Sequence, residues 1–218
     1  MLIDMHLHQD RHSFDSHVSL EEIIEEAKNK GLDGICITDH DDLGLREIVE
    51  DFYTEDLKIF VGVEILTTQG DILVIGLDKV PEKMLTPSEL LKLVHEQGAV
   101  AISAHPYRKN NRGLGDNIFS HHVNSELPLT GVEVLNGSTP EYLNIQAGET
   151  AFESGLAMTA GSDAHFQERV GLMATYFPNE IHTEQELIEA IKNRECRPMY
   201  YENGEYHFFE WDKREQTA

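Results

Sequence analysis

Short apolar runs alternate with amphipathic stretches along most of the chain. Residues 2–3, 34–37, 59–63, 99–103, 131–135, 156–160 and 173–177 read as buried strands, being rich in Val, Ile, Leu and Ala and bounded by turn-forming residues. Residues 71–76 read as an extra strand, hairpin-paired with the one before it. Ser19-Leu20-Glu21-Glu22 is a capping box, followed by a helical stripe of Leu20, Ile23, Ile24 and Ala27 that Gly31 ends. Thr86-Pro87-Ser88-Glu89 caps a helix through Gln97, and Thr183-Glu184-Gln185-Glu186 caps a last long one. Thr139-Pro140 starts another, and a helix is expected around 43–52. A terminal hairpin over 199–209 would turn at Asn203-Gly204.

Strands alternating with helices predict a mostly parallel sheet, and about seven such units predict a closed or nearly closed α/β barrel. In such barrels the chemistry sits at the C-terminal ends of the strands. His6 and His8, His40, Glu64, His105, Asp163 and His165 each fall at or just past the end of a predicted strand. Random scatter of 12 histidines would not place so many at one rim. His6 and His8 stand two apart on a strand, so both rings project from one face. Asp4 shares that face and could orient a ring. For the pair alone, a strand with a polar solvated face is an equal reading. The rest of the chain shifts the balance towards a metal.

At 218 residues and 24.7 kDa the chain fits one domain spanning 1–218. No run of about 18 apolar residues suggests a membrane span. The N-terminus has no charged leader followed by an apolar stretch, and Cys36 and Cys196 form no metal-ligand pair, so both read as free thiols in a reducing cytoplasm. The net charge of −23 is too acidic for a broad electrostatic footprint on duplex nucleic acid, so no long nucleic acid and no membrane are expected as partners. Imidazoles and carboxylates without thiolates suit zinc, manganese or iron, and so many ligands imply two to three divalent ions. Clustered cations with a bridging water are a standard means of displacement at phosphorus.

In order along the chain, DMHLH, SFDS, TDHD, GVE, SAHPYR and GSDAH resemble the PHP (polymerase and histidinol phosphatase) family over residues 2–177. Any one segment is weak; their ordered combination is specific. The resemblance implies a distorted seven-stranded (β/α)7 barrel, TIM-barrel-like, with a trinuclear metal site and hydrolysis of phosphoesters. Carried over, His6, His8, Glu64 and Asp163 would hold one ion. Glu64 would bridge to a second, completed by His105, and Asp15, His40 and His165 would hold the third. Many relatives have a histidine where this chain has Asp71, which is expected to be a ligand that shifts preference from zinc towards manganese or iron.

Arg108 and Arg169 follow ligand positions closely and are expected to grip the substrate phosphate. Glu133 is expected to support the ligands or touch substrate, with a buried structural carboxylate as an equal reading. Asp39 is expected to support His40 or a neighbour by hydrogen bonding. Lys109 and Arg112 read as surface or lid residues, His121-His122 as loop, and His12, His17, His95, His182 and His207 as surface. The substrate class that follows is a small phosphorylated metabolite or nucleotide. The alternatives are a nuclease-type phosphodiesterase acting on oligonucleotide ends, a non-catalytic metal-binding scaffold, and an amidohydrolase-like enzyme. The absence of an obvious metal-bridging lysine weighs against the last.

Overall fold

A computed structural model describes residues 1–52, 56–109, 112–118 and 127–211. Eleven strands are assigned among them, in two mixed sheets. One runs β11-β10-β9-β1-β2-β3, from β1 (Leu2–Leu7), β2 (Gly34–Ile37), β3 (Lys58–Val61), β9 (Met173–Tyr176), β10 (Arg197–Glu202) and β11 (Glu205–Phe208). The other runs β4-β5-β6-β7-β8, from β4 (Val63–Thr67), β5 (Gly70–Ile75), β6 (Val100–Ser103), β7 (Gly131–Asn136) and β8 (Ala157–Gly161). The α-helices are α1 (Leu20–Asn29), α2 (Pro87–Glu96), α3 (Glu141–Ser154) and α4 (Glu184–Lys192). None is long and apolar enough to cross a membrane.

This corrects the expected closed (β/α)7 barrel in three ways. The run 59–63 is two strands, because the chain leaves the first sheet at Gly62 and enters the second at Val63. Gly62 lies so close to β5 that a Cβ there would stand 2.9 Å from the Val74 carbonyl oxygen. β5 is antiparallel to both of its neighbours, and β9 is antiparallel to β1, so the parallel order is interrupted twice. Among the described residues, only isolated bridges, Leu7 with Ala164 and His40 with Glu64, link the two sheets in the pairing pattern. Both links lie where the ligands converge.

The apolar pattern explains the remaining elements. All three predicted capping boxes form, with Ser19, Thr86 and Thr183 accepting from the backbone of Glu22, Glu89 and Glu186. α1 buries Leu20, Ile23 and Ala27 against Ile35 and Ile37 of β2, and α4 buries Leu187, Ile188 and Ile191 beside Ile3 and Met5 of β1. Each such aliphatic side chain contributes about 1.5–3 kcal/mol relative to exposure. The terminal hairpin forms, with β10 and β11 paired antiparallel. The helix expected around 43–52 does not; two 3₁₀ turns, Gly44–Glu47 and Val49–Phe52, take its place. Leu43 gives the first turn no side-chain cap, and Arg46 is drawn to the carbonyls of Leu77 and Val61.

Candidate metal centre

Strand ends from both sheets deliver the site. His6 and His8 come from the end of β1, and Ser13 and Asp15 from the loop that follows it. His40 follows β2, Glu64 opens β4, His105 follows β6, Asn136 ends β7, and Asp163 and His165 follow β8. The backbone turns through the left-handed region at His105 (φ 27°) and Asp163 (φ 53°), an uncommon conformation for such residues that recurs where a site fixes the geometry. β8 reaches β1 only because position 161 is glycine: a Cβ there would sit 2.3 Å from the His6 Cβ.

The result is a tight cluster. His6, Glu64 and His105 present ligand atoms all within 4.8 Å of one another, as do His6, His8 and Asp163, and His8, His40 and His165. Asp15 joins the last set, its Oδ2 lying 3.3 Å from His40 Nε2 and 3.4 Å from His165 Nε2. The two oxygens of Glu64 face different partners: Oε1 is 2.9 Å from His105 Nε2, and Oε2 is 2.9 Å from His40 Nδ1. That division suits a carboxylate placed between two ions.

The donor atoms themselves test whether cations fit. His6 Nδ1 is 2.9 Å from Glu133 Oε1, so the ring's proton belongs on Nδ1. His8 Nδ1 faces Ser13 Oγ at 3.2 Å, and that hydroxyl donates to Asp39 at 2.8 Å, so His8 also carries its proton on Nδ1. The two Nε2 lone pairs therefore point at each other across 3.0 Å. Two acceptors at that distance repel unless a cation or a shared proton lies between them. Glu64 Oε2 is buried among imidazole nitrogens, 2.9 Å from His40 Nδ1, 3.4 Å from His8 Nε2 and 3.5 Å from His6 Nε2. Both observations fit divalent cations.

The electrostatics agree. Burial would lower the His6 imidazole, but Glu133, Asp163 and Glu64 hold it well above its usual range. Burial would raise Glu64 and Asp163, but His6 and the other cationic partners hold both far below the carboxylate range. The cleft thus favours positive charge at its centre. Burial, aided by Glu64, pushes Asp71 up to about 7 despite His105 and Arg112.

The supporting residues are only partly those expected. Asp4 does not orient a ring; it accepts from the backbone of Ser162 and Gly171, each at 2.9 Å, and burial raises it to about 6. Glu133 orients His6 instead, and its Oε2 accepts from His105 N at 2.8 Å and Asn136 Nδ2 at 3.0 Å. It lies behind the rings at 1% exposure, away from the cleft lining. Asp39 acts as expected through a neighbour, by way of Ser13. Arg108 lines the cleft and donates to Asp163 and to Asn136 Oδ1. Arg169 is not brought there; it donates to the carbonyl of Gly137.

Arg112, read from the sequence as surface or lid, lines the cleft, with Nε 2.5 Å from Asp71 Oδ2. Asp71 Oδ2 lies 3.8 Å from His105 Nε2, on the edge of the ligand cluster. Asn136, buried and bonded to Arg108, Asp163 and Glu133, was missed, and its place at a strand end is the only signal that marks it. His121 and His122 lie outside the described residues. The cleft encloses about 480 Å³.

Fold and cluster together define an α/β protein with a strand-end cluster of donors that suits divalent cations. The family model described as PHP-associated matches residues 141–196. The uncharacterised protein MJ1587 of Methanocaldococcus jannaschii is 36% identical over 118 residues, which are 52% of this chain. The match covers 64% of that relative, less than two thirds of its length. A probable histidinol-phosphatase of Thermotoga maritima is 27% identical over 206 residues, covering 78% of this chain and 87% of the relative. Endonuclease Q, solved in complex with a 27-mer duplex substrate carrying an abasic lesion at the active site, superposes with a TM-score of 0.68. It is 18% identical, and the match covers 88% of this chain and 57% of that one. The chain is thus similar, in part of its sequence, to PHP-associated proteins and to a probable histidinol-phosphatase, and it shares its fold with Endonuclease Q.

The Endonuclease Q complex corrects the expectation that long nucleic acid is not a partner: a protein of this fold takes a duplex. Net charge was the wrong guide, because it sums the whole surface. Many acidic residues lie on exposed helix faces such as Glu21, Glu22 and Glu25, and the cleft lining sets Arg108 and Arg112 beside Asp15, Asp41, Glu64 and Asp163.

Proposed function

We propose that the chain is a metal-dependent phosphoesterase that hydrolyses a small phosphorylated metabolite or nucleotide at this cleft. The convergence of His6, His8 and Asp163, whose ligand atoms all lie within 4.8 Å of one another around a 3.0 Å Nε2–Nε2 contact, carries the reading. His6, His8, Glu64 and Asp163 would hold one ion, Glu64 and His105 with Asp71 a second, and Asp15, His40 and His165 a third. Zinc, manganese and iron all suit these donors. When bound, such ions polarise phosphoryl oxygens and acidify the attacking water.

The chain's own residues do the rest. Glu64 spans two ligand groups with its two oxygens and fixes their spacing. Glu133 holds the His6 ring and the His105 backbone with one carboxylate, and the Ser13–Asp39 pair holds His8. Arg108 is anchored by Asn136 and Asp163 at the cleft wall, where its guanidinium can pair with phosphoryl oxygens and offset the charge that builds during displacement.

The test is release of phosphate or alcohol from a generic aryl phosphate ester, then from a panel of phosphometabolites and nucleotides, by the metal-loaded protein. Turnover that chelation abolishes and metal restores is expected; none on any substrate by the fully loaded protein would overturn the reading. A second reading, phosphodiester cleavage at oligonucleotide ends, is favoured by the fold shared with Endonuclease Q and by the paired arginines in the cleft. Faster turnover of short oligomers than of mononucleotides would select it.

A further inference from the structure

Phe14 is 91% exposed, yet it does not sit on a loose loop. Its neighbours are tied inward: Ser13 donates to Asp39, Ser16 donates to the His8 carbonyl at 2.8 Å, and Asp15 faces His40 and His165. The loop backbone is closed by Asp10 N to Val18 O at 2.9 Å and held to the next strand end by His17 N to His165 O at 2.9 Å. The fold therefore holds a large apolar ring out into water, between buried serines. Three other exposed phenylalanines have structural partners: Phe152 packs on Trp211, Phe166 on His17, and Phe208 lies under Arg197. The ring nearest Phe14 is the His40 imidazole, 6.3 Å away between centroids and itself in the ligand cluster. Phe14 shares the cleft lining with Asp15, Arg108, Arg112 and His165.

A cleft with a polar, cation-seeking floor, two arginines and one free aromatic face asks for a ligand of matching halves. The phosphoryl group belongs over the floor. A flat π-surface one sugar away belongs on the ring, where it removes apolar area from water and gains stacking that an aliphatic group would not. We propose that Phe14 is a stacking platform for a nucleobase, so that the substrate is a nucleobase-bearing phosphoester, either a free nucleotide or the end of a strand. This rests on the phosphoesterase reading of the same cleft and adds to it the identity of the group beside the phosphate.

Binding tests it without requiring turnover. The metal-loaded protein is titrated with non-hydrolysable phosphonate analogues of a nucleoside monophosphate, of the same sugar phosphate lacking its base, and of an oligonucleotide with a terminal phosphate. The wild type should bind the base-bearing analogue more tightly than the baseless one. Phe14→Ala should weaken the base-bearing analogue about tenfold relative to the baseless one, the scale of one base–aromatic stack. Phe14→Trp should retain the preference and Phe14→Leu lose most of it, whereas Met84→Ala, at another exposed apolar position, should leave the ratio unmoved. Tighter binding of the oligomer than of the mononucleotide assigns the strand end as the source; the reverse order assigns the free nucleotide. Equal wild-type affinity with and without the base, or a Phe14→Ala loss shared equally by both, overturns the proposal. Hydrolysis is scored separately, so a base preference without turnover would sink the phosphoesterase reading and leave the platform standing.

Discussion

Glu133 holds two members of the cluster at once: its Oε1 accepts from His6 Nδ1 at 2.9 Å, and its Oε2 accepts from the backbone N–H of His105 at 2.8 Å. A glutamine there has one acceptor oxygen and one donor amide for donors on both sides, so one of the two ligands must lose its support. Glu133→Gln should fold normally and bind divalent metal about 10–100-fold more weakly. Competition against a chromogenic chelator measures this. Unchanged affinity would show that Glu133 only fills space.

Asp71 pairs with Arg112 on one side and faces His105 on the other. As a carboxylate, a harder donor than imidazole, it should favour manganese or iron over zinc. Elemental analysis of wild type and Asp71→Asn, loaded from equimolar mixtures, should show a lower metal content in the variant and a shift towards zinc. The same occupancy and the same element in both would remove Asp71 from the ligand set.

Gly161 is where β8 touches β1. A methyl group added there would collide with the Cβ and backbone nitrogen of His6, at 2.3 and 2.7 Å, and with Glu133 Oε1 at 3.0 Å. Gly161→Ala should cost about 1–3 kcal/mol of stability as an overpacked contact. Because the displaced atoms belong to His6 and its carboxylate, metal affinity should fall with it. Denaturant unfolding and metal titration on the same sample check both; full stability with full affinity would refute the contact.

The clustering of these side chains was legible because each lies at a fixed offset from an apolar run, and strand ends are where side chains converge. The capping boxes at Ser19, Thr86 and Thr183 were legible for a similar reason, since their chemistry is local. Sheet closure was not. Met173 to Tyr176 pairs antiparallel with β1, but an apolar strand carries no mark of its direction, and the change of sheet at Gly62 depends on contact with Val74, far off in sequence. Arg112 and Asn136 stayed hidden because their partners, Asp71 and Asp163, are distant in sequence and only the fold brings them near.

The helix caps give a prediction away from the site. Ser19→Ala should destabilise the protein by about 1 kcal/mol. Hydrogen bonds from the backbone and hydroxyls of the capping residues lower the carboxyl pKa values of Glu22 and Glu89, and those from the backbone of His182 and Thr183 lower that of Glu186. A depressed folded-state pKa stabilises above the unfolded value, about 4.5, and that contribution is lost as the pH falls through the folded value. The gap in unfolding free energy between wild type and Ser19→Ala should therefore narrow on acidification below about 4.5. A gap that stays constant with pH would mean that Glu22 takes no part in the cap.

Element-specific anomalous diffraction from crystals grown with zinc, manganese or iron addresses the cleft most directly. Peaks should appear among His6, His8, Glu64 and Asp163, between Glu64 and His105, and among Asp15, His40 and His165. Density at some other place on the surface, with the His6 and His8 rings still facing each other across a gap that holds no ion, would contradict the account.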